Sequence, residues 1–203
     1  MTVLKISEDD FEAAVDIAAA LLKNGGTIVY PTDTVYGIGA DAASDDAVEK
    51  VLKIKGINGR KPLSVMVSDL GMIDYFCESG VWEDIILRKY LPGPYTFILK
   101  KSRGLPASLT DRLGVRIPDS QFCQALCRKF GRPILTTSAN PTSKAPPTRF
   151  EDVDKTVLAA VDLSIDGGPT KYGAASTVID LVERKMLRQG DKGWIDLVDL
   201  PER

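Results

Sequence analysis

The stretch from Thr27 to Gly39 constrains this chain more than any other. It opens as an apolar run, Thr27-Ile28-Val29-Tyr30, which reads as a buried strand. It then breaks at Pro31 into Thr32, Asp33, Thr34 and Tyr36, and closes on Gly37 and Gly39. A strand that leaves the core and at once presents hydroxyls and a carboxylate is how α/β folds build a ligand wall. The plain structural reading of the same residues is a strand followed by a turn.

The rest of the chain supplies partners for such a strand. Ser7-Glu8-Asp9-Asp10 reads as a helix start, after which Phe11, Ala14, Val15, Ala18, Leu21 and Leu22 fall on one face. A second helix is expected over 45–55, with others near 82–90, 120–130 and 150–160. Strands are expected at 63–67, 96–100, 114–117, 134–137, 163–165 and 177–182. Helices and strands alternate, but several strands follow one another without a helix between them. This predicts a single α/β domain over residues 1–203, core about 10–190, with a mixed twisted sheet and flanking helices. The loop from Asn140 to Arg149, rich in Pro, Ser and Thr, is long enough to suggest function.

Composition removes whole classes of chemistry. The 203 residues contain no histidine, so Ser-His-Asp and Cys-His catalysis are excluded and no imidazole can hold a metal. Cys123 and Cys127 lie on one helical face, not in a C-x-x-C pattern, and with Cys77 read as buried reduced thiols. The formal net charge is −2, so nucleic-acid binding would need a local basic patch such as Lys53, Lys55, Arg60 and Lys61. No apolar run reaches the roughly 18–20 residues of a membrane span, and the N-terminus lacks a signal-peptide core, so cytoplasmic residence and no membrane partner are expected.

Four constellations could carry chemistry. Lys55, Arg60 and Lys61 flank a glycine-bearing loop and suit phosphate, although there is no P-loop. Leu135-Thr136-Thr137-Ser138-Ala139-Asn140-Pro141 ends a strand in hydroxyls and an amide. Arg116, alone among apolar strand residues, must pair with an internal carboxylate or with a ligand's. Gly173 to Asp180 carries small residues into a strand, and Arg188 follows as a further cation. Each also has a structural reading as a cap, a turn or a solvated end.

Together these segments resemble the YrdC-like domain family, the threonylcarbamoyl-AMP synthases. The matching stretches are Pro31-Thr32-Asp33-Thr34-Val35-Tyr36-Gly37, Lys61-Pro62-Leu63, Leu91-Pro92-Gly93-Pro94-Tyr95-Thr96, Val115-Arg116-Ile117-Pro118, Thr137-Ser138-Ala139-Asn140 and Ser176-Thr177-Val178, in the family's order. The resemblance implies a concave, positively charged cleft. It also implies conversion of L-threonine, bicarbonate or CO2, and ATP to threonylcarbamoyl-AMP and pyrophosphate. A separate transferase would use the product to modify tRNA. By resemblance Thr32, Thr34, Arg116 and Ser176 would bind L-threonine. Lys55, Ser138, Asn140 and Arg188 would hold ATP, with Arg60 and Lys61 at its phosphates and Lys55 and Arg60 acting electrostatically. No acid–base residue and no protein metal ligand is assigned. Mg2+ is expected as the ATP counter-ion, held by phosphates and water.

Three departures from the family pattern stand out. The family commonly has Lys-x-Arg after the second helix, where this chain has Lys55-Gly56-Ile57; Arg60 is the candidate substitute. Met66 falls near a place where many members carry histidine. Many relatives append a second domain, whereas this chain reads as the single-domain form, with the Asn140–Arg149 loop as candidate lid. An RNA-binding module without adenylate synthesis is the main alternative, and a weak RNA contact is compatible with the synthase. A carbamoyl-adenylate enzyme acting on carbamoyl phosphate is a further one.

Overall fold

Every apolar run finds its neighbours in one mixed sheet. The computed structural model describes residues 2–7, 9–57, 63–102, 105, 109–142 and 144–190. In chain order the elements are β1 (Thr2–Lys5), α1 (Phe11–Lys23), β2 (Ile28–Pro31), β3 (Tyr36–Asp41), α2 (Asp45–Lys55), β4 (Ser64–Met66), α3 (Leu70–Phe76), β5 (Cys77–Glu78) and α4 (Val81–Tyr90). They continue as β6 (Tyr95–Lys101), β7 (Arg112–Arg116), α5 (Gln121–Phe130), β8 (Ile134–Ser138), a 3-10 turn (Phe150–Asp152), α6 (Lys155–Ala160), β9 (Leu163–Asp166), β10 (Thr177–Asp180) and β11 (Lys185–Arg188). The strands lie in the order β1-β9-β2-β3-β8-β4-β7-β6-β10-β11, with β5 on β6. Contacts β1–β9, β2–β9, β4–β7 and β6–β10 are parallel; the others are antiparallel.

Side-chain alternation along the strands divides the core in two. On one face Ile28, Tyr30, Met66, Ile134, Leu163 and Ile165 pack under α1 and α5. On the other, Val29, Tyr36, Ile38, Val65, Phe97, Val115, Leu135 and Ile179 meet α2, α3, α4 and α6. α1 supplies Ala14, Val15, Ala18, Ala19 and Leu22 to the first layer, close to the expected stripe. α2 and α5 are capped by serine: Ser44 Oγ accepts from Ala47 N at 3.3 Å, and Ser120 Oγ accepts from Cys123 N at 3.4 Å. Cys77, Cys123 and Cys127 are free and buried, and burial pushes the Cys77 and Cys123 thiols up to about 12.

The structure corrects several boundaries. Pro31 does not break away from its strand but is the last residue of β2, paired with Tyr36, and Gly37 and Gly39 lie within β3. Gly39 is there for packing: a Cβ on it would lie 2.8 Å from Tyr30 Cε1. The helix expected over 150–160 is a 3-10 turn followed by α6, separated at Val153 and Asp154, where the Asp154 carboxylate caps the second piece by accepting from Thr156 N at 2.8 Å. β1, α3, β5 and β11 go beyond the sequence reading. They are short, and their geometry comes from neighbours, not from their own periodicity.

Candidate active site

The site lies on the α1/α5 face of the sheet, where those helices no longer cover it. The sheet floor there is built from small side chains. Gly37, Ser64, Thr96, Thr136 and Ser138 line a cavity of about 200 Å3. Gly114 lies beneath it; a Cβ on Gly114 would sit 2.4 Å from Ser64 Oγ and 3.1 Å from Thr96 Cγ2. The walls are Thr32, Thr34 and Val35 of the β2–β3 turn, Ala175 and Ser176 before β10, Pro146, and the arginines Arg116 and Arg188. This volume is below the roughly 300–1,000 Å3 of drug-sized ligand pockets, so the cavity holds a small ligand and a larger one must extend through its mouth.

The turn from Thr32 to Val35 is held by its own hydroxyls. Thr32 Oγ1 donates to Val35 O at 2.7 Å and accepts from Thr34 N at 3.1 Å, and it lies 3.0 Å from Thr34 Oγ1. Arg116 reaches this turn from the end of β7. Its Nη2 donates to Asp33 Oδ1 and, at 3.0 Å, to Thr34 Oγ1. Of the two partners open to a lone arginine, the structure supplies the internal one, Asp33. Both residues are buried, Arg116 at 6% exposure and Asp33 at 1%. Burial pushes the Asp33 carboxyl up from its usual range, and the Arg116 charge pulls it back. Asp33 accepts a further bond from Asp119 N at 3.1 Å.

Across the cavity, Arg188 Nε donates to Ser176 O at 2.9 Å and its Nη2 to Ser176 Oγ at 3.1 Å. Ser176 Oγ also lies 2.9 Å from Thr96 Oγ1, so one hydroxyl joins β6, β10 and β11. Partial burial, and then the nearby Arg116 charge, lower the Arg188 pKa from its usual value. Among the described residues two guanidiniums and no carboxylate side chain line the cavity, and Asp33 behind Arg116 offsets one of the two charges.

Lys55 and Asn140, expected at ATP, do not line this cavity and lie behind Ser138. The left-handed Gly56 (φ 64°) ends α2, whose last side chain turns inward. Lys55 Nζ donates to Ser138 O at 2.8 Å, Ser138 Oγ at 3.3 Å, Asn140 O at 2.5 Å and Asn140 Oδ1 at 3.2 Å. Desolvation lowers its pKa to about 8. A buried lysine cannot serve an exposed basic patch, and Lys53 pairs with Glu49 at 3.8 Å, which weakens the patch suggested for RNA. Arg60 and Lys61 lie outside the described residues. Met66 is fully buried, 3.9 Å from Tyr30 Oη, and does not line the cavity.

The structure therefore gathers Thr32, Thr34, Arg116, Ser138, Ser176 and Arg188 around one space. Thr136 and Thr137 of the hydroxyl-rich strand end line it too, and Ser64 and Thr96 join them unannounced; single hydroxyls within strands carry no spacing signal, and only the sheet register aligns them. The 140–149 loop puts Pro146 on the cavity and is tied down beyond it, by Tyr36 N to Pro147 O at 2.8 Å and Thr170 N to Thr148 O at 2.9 Å. A larger hollow of about 870 Å3 lies on the opposite sheet face, lined by Asp74, Glu78, Glu83 and Asp84 against Arg88 and Lys100. Its carboxylates make it a poor home for polyphosphate.

Fold and cavity together define an α/β domain with a small, hydroxyl-lined cavity between two arginines. The Sua5/YciO/YrdC family model, described as telomere recombination, matches residues 20–190, and the chain belongs to that family. It is similar to a Methanocaldococcus jannaschii protein named putative threonylcarbamoyl-AMP synthase, 37% identical over 186 residues that cover 91% of this chain and 88% of the relative. It is 32% identical to the Pyrococcus abyssi threonylcarbamoyl-AMP synthase over 89% of this chain, but spans only 54% of that protein. Among solved structures, P. abyssi Sua5 complexed with L-threonine aligns with TM-score 0.85 and 30% identity, over 93% of this chain and 57% of that one. E. coli YciO aligns with TM-score 0.82 and 28% identity, over 94% and 95% of the two chains.

Proposed function

We propose that the chain is a threonylcarbamoyl-AMP synthase, which joins L-threonine, bicarbonate or CO2, and ATP into L-threonylcarbamoyladenylate and releases pyrophosphate. The observation that carries this reading is the amino-acid-sized cavity in which Arg116 stands among Thr32, Thr34 and Ser176. Relatives that bear this activity in their names, and one solved with L-threonine, support it.

In this reading Arg116 takes the substrate carboxylate, and Thr32, Thr34 and Ser176 surround the rest of the amino acid. The substrate amine forms a bond to the carbon of CO2 and gives up a proton to water, leaving a carbamate. A carbamate oxygen then attacks the α-phosphorus of ATP as the bond to pyrophosphate breaks. Positions for the phosphates fall to Ser138 at the cavity edge, to Arg188, and to the Lys55–Asn140 pair that braces Ser138. Arg60 and Lys61 belong to the same proposal. The reactants are mostly anions, so alignment and charge neutralisation account for the catalysis and no histidine is required. No carboxylate lines the cavity, and no cluster of three or more metal-binding side chains occurs among the described residues. Mg2+ would arrive on the phosphates and neutralise them.

The adenylate would pass to a transferase acting on tRNA, in the cytoplasm, with at most a weak RNA contact by this chain. No helix among the described residues is long and apolar enough to cross a membrane. The test is pyrophosphate release from ATP with bicarbonate and either threonine, serine or no amino acid. Threonine-dependent and bicarbonate-dependent release is expected; release that ignores threonine would overturn the reading.

A further inference from the structure

The carboxylate that completes this site stands outside it. Asp33 lies in the β2–β3 turn but is not part of the cavity wall. Its Oδ1 accepts from Arg116, its Oδ2 from Asp119 N at 3.1 Å, and its carbonyl oxygen from Tyr172 N at 2.8 Å. Asp119 is itself held by Lys171 Nζ and by Tyr172 Oη at 3.0 Å. Asp33 is thus anchored from β7, from the Asp119 corner and from the loop before β10.

Arg116 is a flexible side chain with five donors in a planar fork. Here one corner of the fork is pinned: Nη2 lies between Asp33 and Thr34 Oγ1. The buried Nε has no hydrogen-bond partner among the described residues. A planar group fixed at one corner can rotate little, so its remaining edge has one direction to face. The pair as a whole carries no net charge, so Arg116 is not buried as an uncompensated cation when the cavity is empty.

We propose that Asp33 is a positioning residue that fixes the free edge of Arg116 toward the substrate's α-carboxylate, so that the cavity selects an amino acid over the corresponding amine. This rests on the threonine reading above. A specific comparison isolates it: calorimetric binding of L-threonine and of 1-amino-2-propanol, which is threonine without its carboxylate, to the wild-type chain and to Asp33→Asn. The wild type should prefer threonine by about 10–100-fold, the worth of a charge-assisted pair. Asp33→Asn should lose most of that preference while its affinity for the amino alcohol, measured well below the lowered melting temperature that loss of the ion pair brings, stays within about twofold. Equal weakening of both ligands, or of neither, would overturn the proposal.

Should Asp33→Asn fail to fold, nitrogen-15 relaxation of arginine side chains in the wild-type protein decides instead. The Arg116 Nε–H is expected to be ordered before threonine is added, and a mobile guanidinium would overturn the inference. If the wild type binds neither ligand, the threonine reading fails, and the relaxation measurement still tests whether Asp33 holds Arg116.

Discussion

Arg116 and Lys55 are two buried cations of the same site, solved in different ways. Arg116 has a buried carboxylate, Asp33, as its partner. Lys55 has only neutral oxygens, two carbonyls, a hydroxyl and an amide, all from Ser138 and Asn140. A paired arginine keeps its charge at any ordinary pH and is costly to unpair. A lysine among neutral oxygens can surrender its proton, and its loss strands no opposite charge. The difference teaches where rigidity and where adjustability lie: the Arg116 end is locked by an ion pair, and the Ser138 end is braced by a group that titrates.

The largest expected effect breaks the locked end. Asp33→Ala leaves Arg116 buried without its carboxylate and should cost about 3–5 kcal/mol in urea unfolding. A cost under about 1 kcal/mol would mean that Arg116 escapes to solvent and that the pair is not structural.

Removing Lys55 is expected to cost less, because neutral oxygens without a donor lose only their hydrogen bonds. Lys55→Met should destabilise by about 1–3 kcal/mol and weaken ATP binding more than threonine binding. Its pH dependence has a definite sign. The folded pKa is about 8 against 10.5 for the ordinary side chain, so between those values the unfolded chain binds more protons. The stability contribution of Lys55 therefore rises with pH across that window and is flat below it. The stability difference between wild type and Lys55→Met should follow this curve; a flat difference up to pH 10 would contradict it. ATP turnover that depends on the Lys55 charge should fall as pH rises through about 8, and Lys55→Arg should extend it to higher pH.

The smallest effect sharpens the contrast on the same helix. Lys53 makes an exposed pair with Glu49, its side chain 79% accessible, so Lys53→Met should change stability by less than about 0.5 kcal/mol. It should leave the ATP KM unchanged, which separates a cation near the site from one built into it.

Much of the α/β pattern was legible because long elements carry their own periodicity. α1 shows its stripe in Ala14, Val15, Ala18 and Leu22, and β6 in its apolar run. The short elements β1, α3, β5 and β11 were not legible, since two to seven residues display too little of a period and depend on a neighbour to pack or pair with. That Gly37 and Gly39 lie in a strand was not legible for a related reason. Glycine marks turns in most sequences, but here it clears space for Tyr30 and for the cavity floor inside a strand.

The sequence by itself determined the chemistry available to this protein. Without histidine it must work with hydroxyls, arginines, lysines and carboxylates, and the ordered motifs from Pro31 to Val178 carry the family resemblance. Tertiary structure alone decided how those groups are used. Asp33 and Arg116 are 83 residues apart, and only the meeting of the β2–β3 turn with the end of β7 makes them a pair. Lys55 reads as a cation on a loop until the left-handed Gly56 turns α2 aside and its ammonium is enclosed by Ser138 and Asn140. Local sequence sets propensity and side-chain chemistry over a few residues. Whether a buried charge finds a carboxylate or a ring of neutral oxygens depends on contacts that no local pattern encodes.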